Sequence, residues 1–307
     1  MHAPLVLEQL LNGFQFGMTL FLMAAGLTLI FGIMNLINLA HGSLYMVGAY
    51  VAAWSYATLH SVLAAVGLAI SATVVVGIVL EIGVFRALYD RDHLDQVLAT
   101  FGLILFFNEA VRLIWGATAL YAQVPPFLAG QVELLPGLPY PVYRLAVIGV
   151  GLAVALFLYL LVGRTRIGAL IRAGASNRTM IGALGVNIRL LYTLIFGLGA
   201  GLAALSGAMA GPIFTVESGM GDDFLILSFV VIVIGGIGSI RGSFVAALMV
   251  GIADAIGRAF LRPLLALAVS RSAADSAGPA LASLLIYALM VVVLFFRPRG
   301  LFPARTR

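Results

Sequence analysis

From Gln9 to Leu80 the chain carries no Asp, Glu, Lys or Arg. A membrane span needs about 20 mostly apolar residues, so this one stretch is long enough for three crossings. The rest of the chain agrees: of 307 residues, 63% are hydrophobic and 9% charged. Soluble domains run to roughly 45–50% apolar and 25% charged. No globular core hides so much apolar surface, because a sphere still needs a polar skin. A lipid bilayer removes the conflict by solvating the exterior. The expected fold class is an all-α, polytopic integral membrane protein.

Asn35–Gly42 and His60 punctuate the charge-free run. Hydrophobic runs predict spans near 11–33, 43–59, 62–85, 96–115, 144–163, 190–213, 224–240, 243–262 and 279–297. These make nine segments, or eight if one of the first three is broken or half-length. The loop 116–143, with Pro125, Pro126, Pro136, Pro139 and Pro141, is expected to form an extended cover rather than a helix. Neither a soluble domain nor a linker is evident, so residues 1–307 read as one membrane domain.

Arginine sets the expected orientation. All 17 basic residues are Arg. Arg86, Arg91, Arg164, Arg166, Arg172, Arg178, Arg189, Arg241, Arg297, Arg299, Arg305 and Arg307 fall on one face if the segments alternate. Arg112, Arg144, Arg258, Arg262 and Arg271 fall on the other. The positive-inside rule places the richer face and the C-terminus in the cytosol. The N-terminus then lies outside, without a basic n-region or cleavage site, and the first span is retained as an anchor.

Composition also excludes chemistry. There is no Cys, which removes disulfides, thiolates and Cys-ligated metals. There is no Lys, which codon bias in a GC-rich genome explains, yet the absence has a mechanistic use. The phosphate-binding loop of an ATPase places a Lys on the nucleotide phosphates, so any ATP that drives this protein is hydrolysed on another subunit. The net charge of +5 belongs to the loops and tail rather than to a nucleic-acid surface. No His or carboxylate lies at ligand spacing from His41, so no metal site is expected, and no cofactor is implied.

The segment 164–189 holds five Arg but is not a plain polar loop. Ile167, Leu170 and Ile171 share one helical face; Met180, Ile181 and Leu184 share another. Ser176 is placed to cap a short helix over roughly Asn177–Leu184, and Gly185 stands where a left-handed C-terminal residue belongs. A helix that short is marginal in water and needs a partner surface. Two readings stand: a coupling helix docked on a cytosolic ATPase through Arg172, Ser176, Asn177, Arg178, Met180, Ile181, Leu184 and Gly185, or an interfacial helix on anionic headgroups.

Asn35, Asn38 and His41 recur every three residues, beside Ser43. At helical spacing they share one side, and polar groups at bilayer depth face protein or water. They are candidates for lining a passage; helix capping or interhelical glue is the alternative. Gly235, Gly236 and Gly238 interrupt an apolar run. They mark either a broken helix beside a water-filled path or, the favoured reading, a tight turn between adjacent spans. Gly197/Gly201 and Gly207/Gly211 read as close helix packing. Glu109 with Arg112, and Asp254 with Arg258, read as pairs on their own helices. Glu81, near a helix end, reads as solvated. Asp222 and Asp223 are placed to cap the next span, or to meet an extracytoplasmic partner.

Several of these stretches carry a resemblance. Thr165-Arg166-Ile167-Gly168, Arg172-Ala173 and Leu184-Gly185-Val186-Asn187, followed by the Gly/Ala-rich span from Gly197, resemble the cytoplasmic loop of branched-chain amino-acid ABC permeases of the LivH/LivM type. Gly26–Gly32 followed by Asn35–Gly42 resembles the family's first-span signature, Val233–Gly242 its Gly-rich break, and Arg297–Phe302 its ending. The resemblance runs from about residue 10 to 302 and favours the LivH-like subunit. One departure is Ser176-Asn177-Arg178, where the family usually has acidic residues.

The resemblance implies a non-catalytic permease subunit of an ATP-driven importer in the bacterial plasma membrane. It would form the path for branched-chain or other hydrophobic amino acids. Its implied partners are two cytosolic ATPase subunits, a second permease in a heterodimer, an extracytoplasmic solute-binding protein and the bilayer. Relatives serving urea or short amides are an alternative. A self-sufficient secondary transporter would need an intramembrane acid or ion site, which the charge-free run and the paired charges oppose. A membrane enzyme would need a nucleophile with a base, or clustered metal ligands, and neither is evident.

Overall fold

The computed structural model describes residues 3–267 and 270–303. Arg305 and Arg307 of the tail, and the side chain of Arg178, lie outside the described residues. The helices are α1 (Ala3–Met34), α2 (His41–Leu59), α3 (Val62–Leu80), α4 (His93–Trp115), α5 (Val142–Arg164), α6 (Arg166–Ser176), α7 (Arg178–Ala183), α8 (Ile188–Ala210), α9 (Met220–Gly235), α10 (Ile240–Leu265) and α11 (Arg271–Phe296). Leaving aside the short α6 and α7, the described residues form nine longer helices. The loops after α1, α3, α5 and α9 share one end of the bundle with the C-terminal segment.

Seven of the helices are long and apolar enough to cross a membrane by length and composition; α2 and α9 are not among them. The reason is position. At 16 residues α9 is short, roughly 24 Å at 1.5 Å per residue. Both α2 and α9 are buried by neighbouring helices along most of their length. A helix wrapped in protein does not need a lipid-grade surface and tolerates His, Ser and Asp. At the centre α1 packs on α10, α8, α9 and α5, and α2 packs on α8, α3 and α9. One large apolar cluster draws on α1, α2, α4, α8, α9 and α10.

Small residues allow the crossings. Gly42 of α2 faces Gly221 of α9, and Gly235 of α9 faces Gly242 of α10, each with the partner's backbone where a Cβ would stand. Gly207 meets the backbone of Tyr45, whereas Gly197 and Gly201 face Val74 of α3. Gly197, Gly201 and Gly207 therefore pack helices within the chain, while Gly211, just past α8, meets Ala122 and Val216.

Some boundaries differ from expectation. α11 begins at Arg271 rather than near 279, because Ser270 Oγ caps it by accepting from Ala273 N (3.4 Å) and Pro279 is accommodated inside the helix. α9 stops at Gly235 rather than 240, because Gly236 takes φ 102°. The loop 116–143 adds a β-hairpin, β1 (Gln131–Leu135) with β2 (Leu138–Pro141), to a helical fold. It is antiparallel, pairing Val132 with Tyr140 and Leu135 with Leu138, with an irregularity between Glu133 and Leu135. Leu138 and Tyr140 of β2 face inward while all of β1 is exposed, so the hairpin lies on the bundle as a cover.

Candidate translocation cavity and coupling loop

Residues 35–40 form an irregular break between α1 and α2. Asn35 takes φ 50°, a left-handed conformation that Asn tolerates better than most side chains. The break corrects the expectation that Asn35, Asn38 and His41 share a helical face: only His41 lies in a helix. Asn35 is exposed and borders two cavities, of about 1510 and 300 Å³. Asn38, His41 and Ser43 are buried and line neither cavity, and among the described residues the side-chain polar atoms of Asn38 and Ser43 have no hydrogen-bond partner. His41 sits where α1 and α8 cross, beside Gly26.

The larger cavity lies among α1, α5, α6, the turn before α10, and the C-terminal segment. Its volume exceeds the roughly 300–1,000 Å³ of a fitted small-molecule pocket, so it is a vestibule. Among the described residues that line it, two are cations, Arg172 and Arg241, and none is a carboxylate. Arg241 stands 5.2 Å over the Tyr159 ring, and Arg172 Nη1 donates to Val162 O. Ser239 caps α10 there, its Oγ accepting from Gly242 N (3.1 Å). The positive end of that helix dipole adds to the two guanidinium groups, so this mouth is electropositive. In its wall Thr28 of α1 shares a hydroxyl–hydroxyl bond of 2.7 Å with Ser243 of α10.

Of the glycine-rich residues, Gly238 lines the vestibule, while Gly235 and Gly236 do not. Gly236–Ser239 is a tight turn between two helices, with Ser239 N donating to Gly236 O (3.0 Å). The tail folds beneath it: Leu301 N donates to Ile234 O (2.8 Å) and Phe302 N to Gly235 O (2.9 Å). Gly300 crosses Gly236 so closely that a Cβ on Gly300 would meet the Gly236 backbone. The Gly-rich motif and the C-terminal motif are thus two halves of one contact.

The loop 164–189 contains two short helices, α6 and α7, one for each expected apolar face. Thr165 Oγ1 caps α6 by accepting from Gly168 N (3.0 Å). The cap of α7 is Asn177, not Ser176: Asn177 Oδ1 accepts from Met180 N (2.9 Å), and Ser176 is the last residue of α6. Gly185 takes φ 87°, as expected of a left-handed C-terminal residue. The expected apolar face of α7 is divided. Met180 and Leu184 are 63% and 77% exposed, but Ile181 is 6% exposed and packs inward. A six-residue helix followed at once by the Gly185 turn points Ile181 at the bundle and its neighbours away. Ser176 and Asn177 line the vestibule with Arg172. The structure thus joins part of the expected coupling set to Asn35 and Gly238 of the expected path, and leaves Asn38, His41 and Ser43 elsewhere.

Two functional-looking residues escaped sequence reasoning. Glu81, expected to be solvated, is fully buried. It opens a π-helical turn, Glu81–Phe85, that continues α3 into Arg86–Leu88. Its carboxylate accepts from Arg86 Nε (3.1 Å) and Nη2 (3.3 Å), from Tyr89 OH (2.6 Å) and from Thr193 Oγ1 of α8 (2.7 Å). Burial first, then the bond to Glu81, push the Tyr89 phenol well above its ordinary range and keep it a donor. An α-helix makes neighbours of residues three or four apart. The five-residue step from Glu81 to Arg86 is one that only the π turn closes, so α-helical spacing hid the pair. The second residue is Gln96. It accepts from Ile37 N (3.3 Å) in the α1–α2 break and donates to Leu88 O and Arg91 O (3.2 Å each). Among the described residues no three His, Asp or Glu side chains gather where they could hold a metal.

Antiparallel apolar helices around a buried centre, a vestibule on one flank and a small helix presenting two apolar side chains define a multi-pass membrane transport subunit. The chain belongs to the permease family of branched-chain amino-acid transport systems. The family model described as "Branched-chain amino acid transport system / permease component" matches residues 9–294. The chain is 30% identical to the high-affinity branched-chain amino acid transport system permease protein BraD of Pseudomonas aeruginosa, over 96% of this chain and 95% of that one. It is 28% identical to the permease protein LivH of Escherichia coli K12 over 96% and 94% of the two chains. It is 24% identical to a probable LivH of Methanocaldococcus jannaschii over 77% and 76%. No solved structure matches the chain.

Proposed function

We propose that this chain is one permease half of an ATP-driven importer of branched-chain or other hydrophobic amino acids in a bacterial inner membrane. Residues 1–307 act as one transmembrane domain, with the arginine-rich end and the C-terminus in the cytosol. ATP is hydrolysed on two partner ATPases, and an extracytoplasmic binding protein delivers the solute. The vestibule is one wall of the path. Its open flank between α1, α5 and α10 suits a second permease, which would make its width close on a solute. Polar groups on the break and the Gly turn, Asn35 and Gly238, face that space. Asn38, His41 and Ser43, now enclosed, would join it only when the α1–α2 break moves.

The observation that carries the reading is α7: a capped six-residue helix at the arginine-rich end that turns Met180 and Leu184 outward. Exposed apolar side chains on so short an element fit a protein groove. The test is affinity purification from gently solubilised membranes, followed by uptake of radiolabelled leucine into proteoliposomes. Recovery of ATPases with a second permease, and uptake that requires ATP, are the expected results. A chain that purifies alone and moves leucine on an ion gradient would overturn the proposal.

A further inference from the structure

We infer that Glu81 is a positioning residue for coupling, fastening the start of α8 to the break between α1 and α2; the inference rests on the reading of α7 as the docking helix. The links are continuous. α7 runs through the Gly185 turn into Asn187, which caps α8 by accepting from Leu190 N (3.1 Å). Less than two turns later Thr193 donates to Glu81 (2.7 Å) and accepts from Arg86 Nη2 (3.0 Å). Tyr89 donates to the same carboxylate and crosses the Tyr192 ring edge-on at 5.1 Å, while Phe85 meets Phe196 at 4.9 Å. Gln96 then clamps the chain around Leu88 and Arg91 to Ile37, beside Asn35 at the vestibule. A push on α7 therefore has a hydrogen-bonded route to the segment whose movement would open the path.

Three features separate this from ordinary packing glue. Replacing a buried ion pair by apolar residues is often neutral or stabilising, so a fully buried Glu81 beside a one-third-exposed Arg86 is weak evidence of a purely stabilising role. The π turn that closes the pair is an irregularity found more often at functional sites than elsewhere. The carboxylate also takes donors from the chain just beyond α3, Arg86 and Tyr89, and from Thr193 of α8, so the two helices move as one while it is engaged. A chain of contacts is not coupling by itself, and the test must read both ends.

The chain has no native Cys, which makes a thiol reporter specific within it. Ile37→Cys keeps the backbone donor to Gln96 and provides a half-buried thiol in the break. In the assembled transporter, maleimide labelling of that thiol is measured without nucleotide and with ATP plus vanadate. Otherwise wild-type complexes are expected to change labelling rate about fivefold on trapping. Glu81→Gln, of nearly equal shape, is expected to reduce the change to less than twofold, with ATPase association and basal hydrolysis within twofold of normal. Thr193→Val, which leaves the Glu81–Arg86 pair in place, is expected to fall between them and covers the case in which Glu81→Gln fails to assemble. A purely structural role would lower the yield of both variants but leave the labelling change intact in the complexes that form. That result overturns the inference, as does a thiol whose labelling ignores nucleotide in the wild-type background. Failure of the ATPases to associate with unaltered α7 would instead overturn the reading of the docking helix.

Discussion

Replacing Met180 and Leu184 together by Ala is expected to detach the permease from its ATPase while leaving the permease itself intact. Ala is the best helix former, so α7 keeps its backbone and its Asn177 cap. In the free chain Met180 and Leu184 are 63% and 77% exposed, so their loss removes little internal packing. Fully burying a Leu or Met side chain is worth about 1.5–3 kcal/mol, and scaling by the exposed share leaves roughly 1–2 kcal/mol each to be gained on docking. The double variant should therefore weaken association by about 2–4 kcal/mol, or roughly 30- to 1,000-fold at 1.4 kcal/mol per tenfold. Ile181→Ala is the control. Ile181 is 6% exposed, so its truncation opens a space inside the chain and lowers stability by about 2–5 kcal/mol without changing the docking surface. The assay is titration of the purified ATPase onto permease in lipid nanodiscs, with the thermal midpoint measured in parallel. A loss of affinity under threefold for the double variant, or a larger loss for Ile181→Ala than for the double, would refute the assignment of faces.

Other expectations follow from the same geometry. Glu81→Ala should destabilise the chain by up to about 3 kcal/mol, the low end for a broken buried pair because Arg86 keeps a third of its side chain exposed. Glu109→Ala, whose pair with Arg112 is more than half exposed on both sides, should cost under about 1 kcal/mol; equal shifts in detergent melting midpoint would contradict this. Thr28→Val should cost roughly 1 kcal/mol by stranding the Ser243 hydroxyl, and adding Ser243→Ala should recover part of it. A strictly additive double-mutant cycle would remove the hydroxyl pair from the account. Gly221→Val should sharply lower the folded yield in fluorescence-detected size exclusion, since its Cβ meets the Gly42 backbone and overpacking costs at least about 1–3 kcal/mol. A normal, monodisperse yield would mean that α2 and α9 do not cross there.

Much of the architecture was legible because it follows from local solvation. A long charge-free run interrupted by Asn, His and Gly, with the Arg residues gathered in the later loops, states where helices begin and end in a bilayer. Each of the nine expected segments has its helix. Two kinds of difference recur. Boundaries moved where a cap or a positive-φ glycine decided them, as at Ser270 and Gly236. Faces were misassigned wherever a regular helix was extended through a break. Asn35, Asn38 and His41 looked like one stripe only while α1 and α2 were treated as continuous. Ile181 looked like part of a docking face only while α7 was treated as alone.

The sequence by itself determined the membrane class, the succession of spans, the closely packed glycines and the short capped helix in the arginine-rich loop. Each depends on a residue and its near neighbours, or on their transfer between water and lipid. The tertiary structure alone decided which polar groups face space and which are enclosed. It put Arg172, Arg241 and Asn35 around one vestibule, buried His41 at a helix crossing, and took Glu81 out of water to meet Thr193, more than a hundred positions along the chain. Such pairings depend on which distant helices touch, and hydropathy, which averages over a window of neighbours, carries no record of that.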